Sequence, residues 1–422
     1  MTARCLPSVL SGKINAISSK SDAHRLLICA ALAGEQTKIR CNVMSKDIAA
    51  TVDCLKAMGT NIVVDECIIT VTPAPFKKSA EFDCSESGST LRFLLPVIAA
   101  LGIDAVISGH GRLPERPLSP LKEEMEKNGT VFRTGSKFPL HISGQLTAGD
   151  YELAGNVSSQ FISGLLFALP LLDGDSKIKL IPPVESRSYI KITLAALKKF
   201  GIEITEKENL FIIKGNQKYR SPKEMTVDGD WSNSAFFLCA GALGGDGVTV
   251  TGLDINSPQG DKKILDVLKN IGANIAVNGD EVTVKANKLS GVTVDASDIP
   301  DLVPVISVMA ALSSGETQIK NAGRLRIKEC DRLAAVYDML TTVGISVTQT
   351  DDGLIVEGGK PIGGKVNGCN DHRMVMSAAV LSLFCREPVN VTDAQAVDKS
   401  YPNFFKDFNS LGGNASVIDN GK

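Results

Sequence analysis

The chain has 422 residues, 43% of them hydrophobic and 22% charged, with a formal net charge of −2. That length exceeds one ordinary core and predicts two domains. The near-neutral total excludes a global basic field for nucleic acid or a membrane surface. Ten cysteines occur without a CxxC pair or a Cys/His spacing suited to zinc, which predicts reduced, mostly buried thiols, no metal and a cytoplasmic location. The start, MTARCLPSVLSGKINA, lacks the apolar run of a signal peptide, and no apolar run reaches the ~18 residues of a membrane span.

In chain order, the segments CLPSV and GKINAIS lead directly into an apolar helix, SDAHRLLICAALAG, then a β-branched run, TKIRC. A second helix ends at CLKAMG and is followed by strand-like NIVV and IITVTP. This order then repeats. The apolar helices are SGSTLRFLLPVIAALG, SSQFISGLLFALPLL, SNSAFFLCAGALGG, DLVPVISVMAALSSG and DHRMVMSAAVLSLF. The second helices end in EMEKNG, ALKKFG, VLKNIG, MLTTVG and FNSLGG. Their glycines, Gly59, Gly129, Gly201, Gly272, Gly344 and Gly412, are spaced by 70, 72, 71, 72 and 68 residues and read as left-handed helix C-caps. Helices apolar nearly all round should be buried, and the β-branched runs beside them read as strands. The last unit stops after one strand, ASVI, so the first residues could supply what it lacks. Six units then divide three and three, into domains 20–227 and 1–19 plus 228–422, in an α/β (α+β) fold.

Polar residues collect at two places in the unit. The starts of the apolar helices carry Lys20-Ser21, Glu86-Ser87-Gly88-Ser89, Ser158-Ser159-Gln160, Asp230-Trp231-Ser232, Asp301 and Asp371-His372-Arg373. Ser and Asp are ordinary helix caps. Cations such as Lys20, Arg25, Arg92 and Arg373 in a first turn oppose the helix dipole, and a bound anion would reverse that balance. The loop after the next strand carries Arg112 and Arg116, then Ser186, Arg187 and Tyr189, then RLRIKECDRL over 324–333, then Lys399. Pseudo-symmetry would bring these places together as a locally positive pocket for phosphate and carboxylate groups. Asp301, Glu329 and Asp331 are the acid–base candidates among the cations. No GxxxxGK[ST] loop and no GxGxxG after a strand is present, so no nucleotide cofactor is expected.

The motifs SSKSDAHR, SGSTLR, RPLSPL, SSQFISGLL, IPDLVPV, RIKECDRL, NDHRMVMS and DKSYP, in this order from residue 18 to residue 402, resemble the 5-enolpyruvylshikimate-3-phosphate synthase family of enolpyruvyl transferases. The resemblance implies two domains of three βαβαββ units with pseudo-threefold symmetry, closing over the substrates. It implies a transferase joining phosphoenolpyruvate to shikimate 3-phosphate, with no cofactor. Carried over by motif, Lys20, Ser21, Arg25, Ser158, Ser159, Gln160, Ser186, Tyr189, Asp301, Arg324 and Lys328 would contact shikimate 3-phosphate. Lys20, Gly88, Arg92, Arg116, Gln160, Glu329, Arg332, His372, Arg373 and Lys399 would surround phosphoenolpyruvate. Asp301, Glu329 and Lys20 would be catalytic, with Asp301 the base toward the 5-hydroxyl and Glu329 exchanging a proton with the methylene carbon. Glu86 and Arg324 stand where Asn is common in the family, which predicts weaker inhibition by glyphosate.

The nearest rival is UDP-N-acetylglucosamine enolpyruvyl transferase, which carries a Cys or Asp before the Arg-Pro of the mobile loop where GHGRLPERPLSP has neither. A repeat-built clamp explains the period but not acids among the cations. The expected partners are the two small substrates, with no nucleic acid and no membrane, and a monomer. Cys330 reads as an unreactive thiol, His24, His110 and His141 as surface or capping residues, Trp231 as packing, and LKEEMEK as a solvated amphipathic helix.

Overall fold

The structure is a computed structural model that describes residues 1–419. The chain forms two compact units, Lys20–Val227 and Met1–Ser19 with the chain from Asp228 onward. The described residues form six four-stranded sheets, three in each unit.

One repeat shows how the residues build the unit. Strand Ser79–Asp83 runs parallel to Asp104–Ser108, which pairs antiparallel with Leu140–Gly144, which in turn pairs antiparallel with Thr130–Phe132. Parallel neighbours need a crossover, and the helix Gly88–Ala100 supplies it. Every residue of that helix except Ser89 is buried. The short helix Leu121–Lys127 leads into the hairpin and buries only Leu121 and Met125, the expected amphipathic face. The apolar helices of the other repeats are Lys20–Leu32, Ser159–Ala168, Trp231–Leu243, Val303–Ala311 and His372–Ser382. All six glycines that close the second helices have positive φ, between 75° and 122°, a region open to Gly at little steric cost.

The sequence reading missed the parallel edge strands Ser79–Asp83, Asp150–Ala154, Glu224–Thr226, Thr293–Asp295 and Gly364–Val366. They are short and rich in Asp, Glu, Lys or Gly, as edge strands often are, so neither propensity nor alternation marks them. After Gly201 and Gly344 the strands Ile204–Lys207 and Val347–Gln349 follow.

The chain ends interlock. Strand Thr2–Leu6 lies between Val389–Thr392 and Asn414–Ile418, antiparallel to both, and completes the sixth repeat's sheet. Strand Ser11–Asn15, directly before the first apolar helix, pairs with Gly247–Thr251 of the fourth repeat. Reciprocally, Glu224–Thr226, directly before the fourth apolar helix, pairs with Thr37–Arg40 of the first repeat. The first and fourth repeats have therefore exchanged edge strands, and each unit is complete in strands. The two connecting segments pair where they pass: Ser18 bridges Gly229, Ser19 N donates to Asp228 O at 2.8 Å, and Asp230 N donates to Ile17 O at 2.8 Å.

The helix Gly88–Ala100 contains Pro96. Proline has no N–H, so the Arg92 carbonyl four residues back loses its usual helical donor. Gly164 of the neighbouring helix packs on that carbonyl: a Cβ added there would lie 2.3 Å from Arg92 O and 3.0 Å from Pro96 Cγ. The missing side chain lets the two helices meet at the base of Arg92. Trp231 is fully buried and its Nε1 donates to Asp254 O at 3.0 Å, so it serves packing as expected.

Candidate active site

In the unit Lys20–Val227, three helix starts place the predicted residues. Lys20 opens its helix and its Nζ donates to Asp47 Oδ2 at 2.8 Å, with both side chains 14% exposed. Arg25, one turn on, is buried. Its Nε donates to Thr193 Oγ1 at 2.8 Å and its Nη2 to Tyr189 O at 3.0 Å, and Nη1 donates to Ser21 O. These acceptors are neutral oxygens, and burial pushes the guanidinium down to about 10, with Asp22 opposing.

A second group forms around Gly88. Arg92 Nη1 donates to Gln160 Oε1 at 3.2 Å and Nη2 to Pro117 O at 3.2 Å, while Gln160 Nε2 donates to Ser89 Oγ at 3.0 Å. A Cβ on Gly88 would lie 2.6 Å from Arg92 Nη1 and 2.7 Å from Arg116 Nη1. Gly88 thus leaves the room in which two guanidiniums stand side by side. Ser87 and Ser158 are helix caps, accepting from Thr90 N and Gln160 N. The capping reading therefore holds for both, and it sets Gln160 at a helix start. Ser159 is buried. Ser186 is held in the left-handed region, at φ 53°, before the helix that begins at Arg187.

Two cations from the same loops do not join these groups. Arg112 pairs with Glu115 at 3.3 Å on an exposed turn. Arg187 turns to Glu206 at 3.8 Å and to Glu208 O at 3.1 Å. Glu86 lies against the loop at Gly111, where a Cβ would stand 2.5 Å from its Oε2. His24 is neither surface nor cap. It is fully buried, with Nδ1 2.7 Å from Thr51 Oγ1, and burial holds its pKa well below the ordinary value, helped by Lys20 and Arg25.

In the other unit the charges of 324–333 meet the start of the His372–Ser382 helix. Arg332 is 1% exposed and touches three carboxylates. Its Nε donates to Asp371 Oδ2 at 2.7 Å, its Nη1 to Asp301 Oδ1 at 2.8 Å and its Nη2 to Glu329 Oε2 at 2.7 Å. Asp301, on the turn Pro300–Leu302, also accepts from Arg373 Nη2 at 3.1 Å and Lys328 Nζ at 3.4 Å. One carboxylate thus faces three cations, which favours its ionised form. Burial lowers Lys328 to about 8, against Asp301 and with Arg324 and Arg332. Arg332 is held above its ordinary value because its carboxylate partners outweigh burial. Lys399 is buried and donates to Asn370 O at 2.5 Å, beside buried His372.

Two carboxylates here were missed as site residues. Asp371 caps its helix by accepting from Arg373 N at 2.9 Å and fixes Arg332. Asp261 is buried, and burial together with Asp301 raises its pKa to about 6, with Arg373 opposing. Asp47, the partner of Lys20, was missed as well, because an acid in a first helical turn is too common to be a signal. Conversely, Asp331, read as an acid–base candidate, caps its helix at Ala334 N and pairs with Arg326 at 3.2 Å. Among the described residues, no group of three or more His, Cys, Asp or Glu could hold a metal ion, and no helix is long and apolar enough to cross a membrane.

Six repeated four-stranded units, three in each compact unit, form the architecture of an enolpyruvyl transferase. The fold is shared with the enolpyruvyl transferase NikO from Streptomyces tendae, at TM-score 0.79 over 98% of each chain and 17% identity. EPSP synthase from Acinetobacter baumannii matches at TM-score 0.81 and 25% identity, covering 99% of this chain and 100% of that one. The family model for EPSP synthase (3-phosphoshikimate 1-carboxyvinyltransferase) matches residues 6–408. A 3-phosphoshikimate 1-carboxyvinyltransferase from Clostridium novyi is 43% identical over 99% of this chain and 98% of its own length. One from Clostridium kluyveri is also 43% identical, over the same shares. The chain belongs to the EPSP synthase family.

Proposed function

We propose that this chain transfers the enolpyruvyl group of phosphoenolpyruvate to the 5-hydroxyl of shikimate 3-phosphate and releases inorganic phosphate, by addition and elimination through a tetrahedral intermediate. Family membership supports the reaction. The observation that carries the residue roles is the Asp301 carboxylate, which accepts from Arg332 at 2.8 Å, Arg373 at 3.1 Å and Lys328 at 3.4 Å. A carboxylate kept ionised in this way can take the proton of the attacking 5-hydroxyl. Arg332 also holds Glu329 at 2.7 Å, so one guanidinium links the base to the group that exchanges a proton with the methylene carbon.

The substrates together carry two phosphates and two carboxylates, which burial would make prohibitive without cations. Lys20, Arg92, Arg116, Arg332, Arg373 and Lys399, with Gly88, Gln160 and His372, are assigned to phosphoenolpyruvate. Ser21, Arg25, Ser158, Ser159, Gln160, Ser186, Tyr189, Arg324 and Lys328 are assigned to shikimate 3-phosphate. Arg25 supports its part of this assignment, because its buried charge meets only neutral oxygens among its hydrogen-bond acceptors. The reading includes a monomer acting in the cytoplasm on two small anions.

Phosphate release tests it. With phosphoenolpyruvate and shikimate 3-phosphate together, phosphate should appear. With either alone, or with UDP-N-acetylglucosamine as acceptor, it should not. Release only with the nucleotide sugar would sink the reading.

A further inference from the structure

Within the unit Lys20–Val227, a buried line of polar side chains joins three helices, and the proposed reaction does not use it. His24 Nδ1 lies 2.7 Å from Thr51 Oγ1, Thr51 Oγ1 lies 2.7 Å from Thr90 Oγ1, and Thr90 Oγ1 donates to Ser87 Oγ at 2.7 Å. None of the four is more than 1% exposed. His24 stands on the helix Lys20–Leu32, Thr51 on Lys46–Met58 and Thr90 on Gly88–Ala100, which Ser87 caps.

The line has a direction. A hydroxyl has one proton to give. Thr90 gives its own to Ser87, since the Asp47 carbonyl, 3.5 Å from Thr90 Oγ1, is the weaker acceptor. Thr90 must then accept from Thr51, and Thr51, its proton used, must accept from His24. The imidazole proton therefore sits on Nδ1. The second ring nitrogen agrees with this. Nε2 is buried and has no hydrogen-bond partner among the described residues, so a proton there would be a buried donor left unmet. Burial, with Lys20 and Arg25, holds the ring neutral.

We propose that His24, Thr51 and Thr90 are positioning residues, which fix the turn from Ser87 to Arg92 and with it the guanidinium pair assigned to phosphoenolpyruvate. This rests on the reading of that site given above. Ser87 Oγ accepts twice, from Thr90 Oγ1 and from Thr90 N at 3.2 Å, which holds the cap and the first helical turn together. The next residue is Gly88, whose missing side chain leaves room for Arg92 and Arg116. Ser89 follows and accepts from Gln160 at 3.0 Å. At the far end of the line, Thr51 lies one turn beyond Asp47, which holds Lys20 at 2.8 Å. The Lys20–Asp47 pair joins the first two helices, and the hydroxyls carry the connection to the third.

Thr51→Val removes the central hydroxyl and nearly keeps the volume. Its KM for phosphoenolpyruvate should rise roughly 10-fold, because small misplacements of binding groups are costly. Its kcat should change little, as when ground and transition states lose the same contacts, and KM for shikimate 3-phosphate should rise less. Thr51→Ser, which restores the hydroxyl, should bring KM back toward the wild-type value. Thr60→Val is the control: Thr60 Oγ1 is buried without a hydrogen-bond partner among the described residues, and its loss should leave both KM values unchanged. The line itself is read without turnover. The chain has four histidines. In full-length protein with isotopically labelled histidine, long-range proton–nitrogen NMR should show His24, identified by its loss in His24→Asn, protonated at Nδ1 alone. Protonation at Nε2, a wild-type KM for phosphoenolpyruvate in Thr51→Val, an equal rise in both KM values, or a rise that Thr51→Ser does not reverse would each overturn the proposal. If wild-type protein released no phosphate with both substrates, the reaction itself would fall and take this proposal with it, so wild-type turnover separates the two failures.

Discussion

Asp301 and Glu329 share one arginine, and this sharing determines what their substitution should do. Asp301→Asn keeps the shape but removes the charge that faces Lys328, Arg332 and Arg373, and its amide nitrogen cannot accept a hydrogen bond. We expect turnover to fall at least ~100-fold, the usual scale for an acid–base group, with an unchanged circular dichroism spectrum. Glu329→Gln should do the same, and near-normal turnover in both would remove the roles. Lys328 makes a separate prediction. With its pKa near 8 in the free protein, it is positive below that pH and neutral above it. The charge available to an anionic substrate is therefore lost as pH rises, and kcat/KM for shikimate 3-phosphate should decline above about pH 8. Lys328→Arg, which stays ionised, should flatten that limb in an initial-rate pH profile even if it lowers the maximum. These residues stand out in the sequence because IPDLVPV and NDHR put charges where apolar helices begin, and RIKE puts more in the loop after a strand. Asp47, Asp261 and Asp371 do not, since a lone acid near a helix start reads as a cap until the fold shows what it faces.

Among the elements, the apolar helices and their glycine-closed partners were readable because period and punctuation agree over six repeats. Five parallel edge strands were not, because sheet pairing alone defines segments such as Glu224–Thr226. The contact between Ser159–Ala168 and Gly88–Ala100 is the element on which the guanidinium pair depends. Gly164→Ala would put a methyl 2.3 Å from the Arg92 carbonyl, backbone that a rotamer change cannot move aside. Overpacking of this kind costs about 1–3 kcal/mol, so the melting temperature should drop. The helix bearing Arg92 must also shift, so KM for phosphoenolpyruvate should rise. A variant with wild-type melting and wild-type KM would show that the helices have slack there.

For the whole molecule, the edge-strand exchange determines which pieces can stand alone. Residues 20–227 are continuous and contain every strand of their three sheets. That fragment should fold cooperatively by itself, with a sigmoidal urea transition followed by circular dichroism. The fragment from 228 onward lacks both Thr2–Leu6 and Ser11–Asn15, one central and one edge strand of its sheets. It should remain unfolded until a peptide of residues 1–19 is added. Cooperative folding of 228–422 without the peptide would contradict this, as would failure of 20–227. The sequence predicts a division near residues 20 and 228 because its last repeat lacks strands that the others have. It does not predict the exchange itself, since both swapped strands precede an apolar helix and nothing local says which sheet they enter.

Synthesis on the ribosome gives the position of Thr2–Leu6 a temporal meaning. Its two neighbours, Val389–Thr392 and Asn414–Ile418, are translated long after it. Thr2–Leu6 must therefore wait with both its edges bare until those two strands have been made. A nascent chain stalled before Val389 would expose that ribbon to any other unpaired strand in reach.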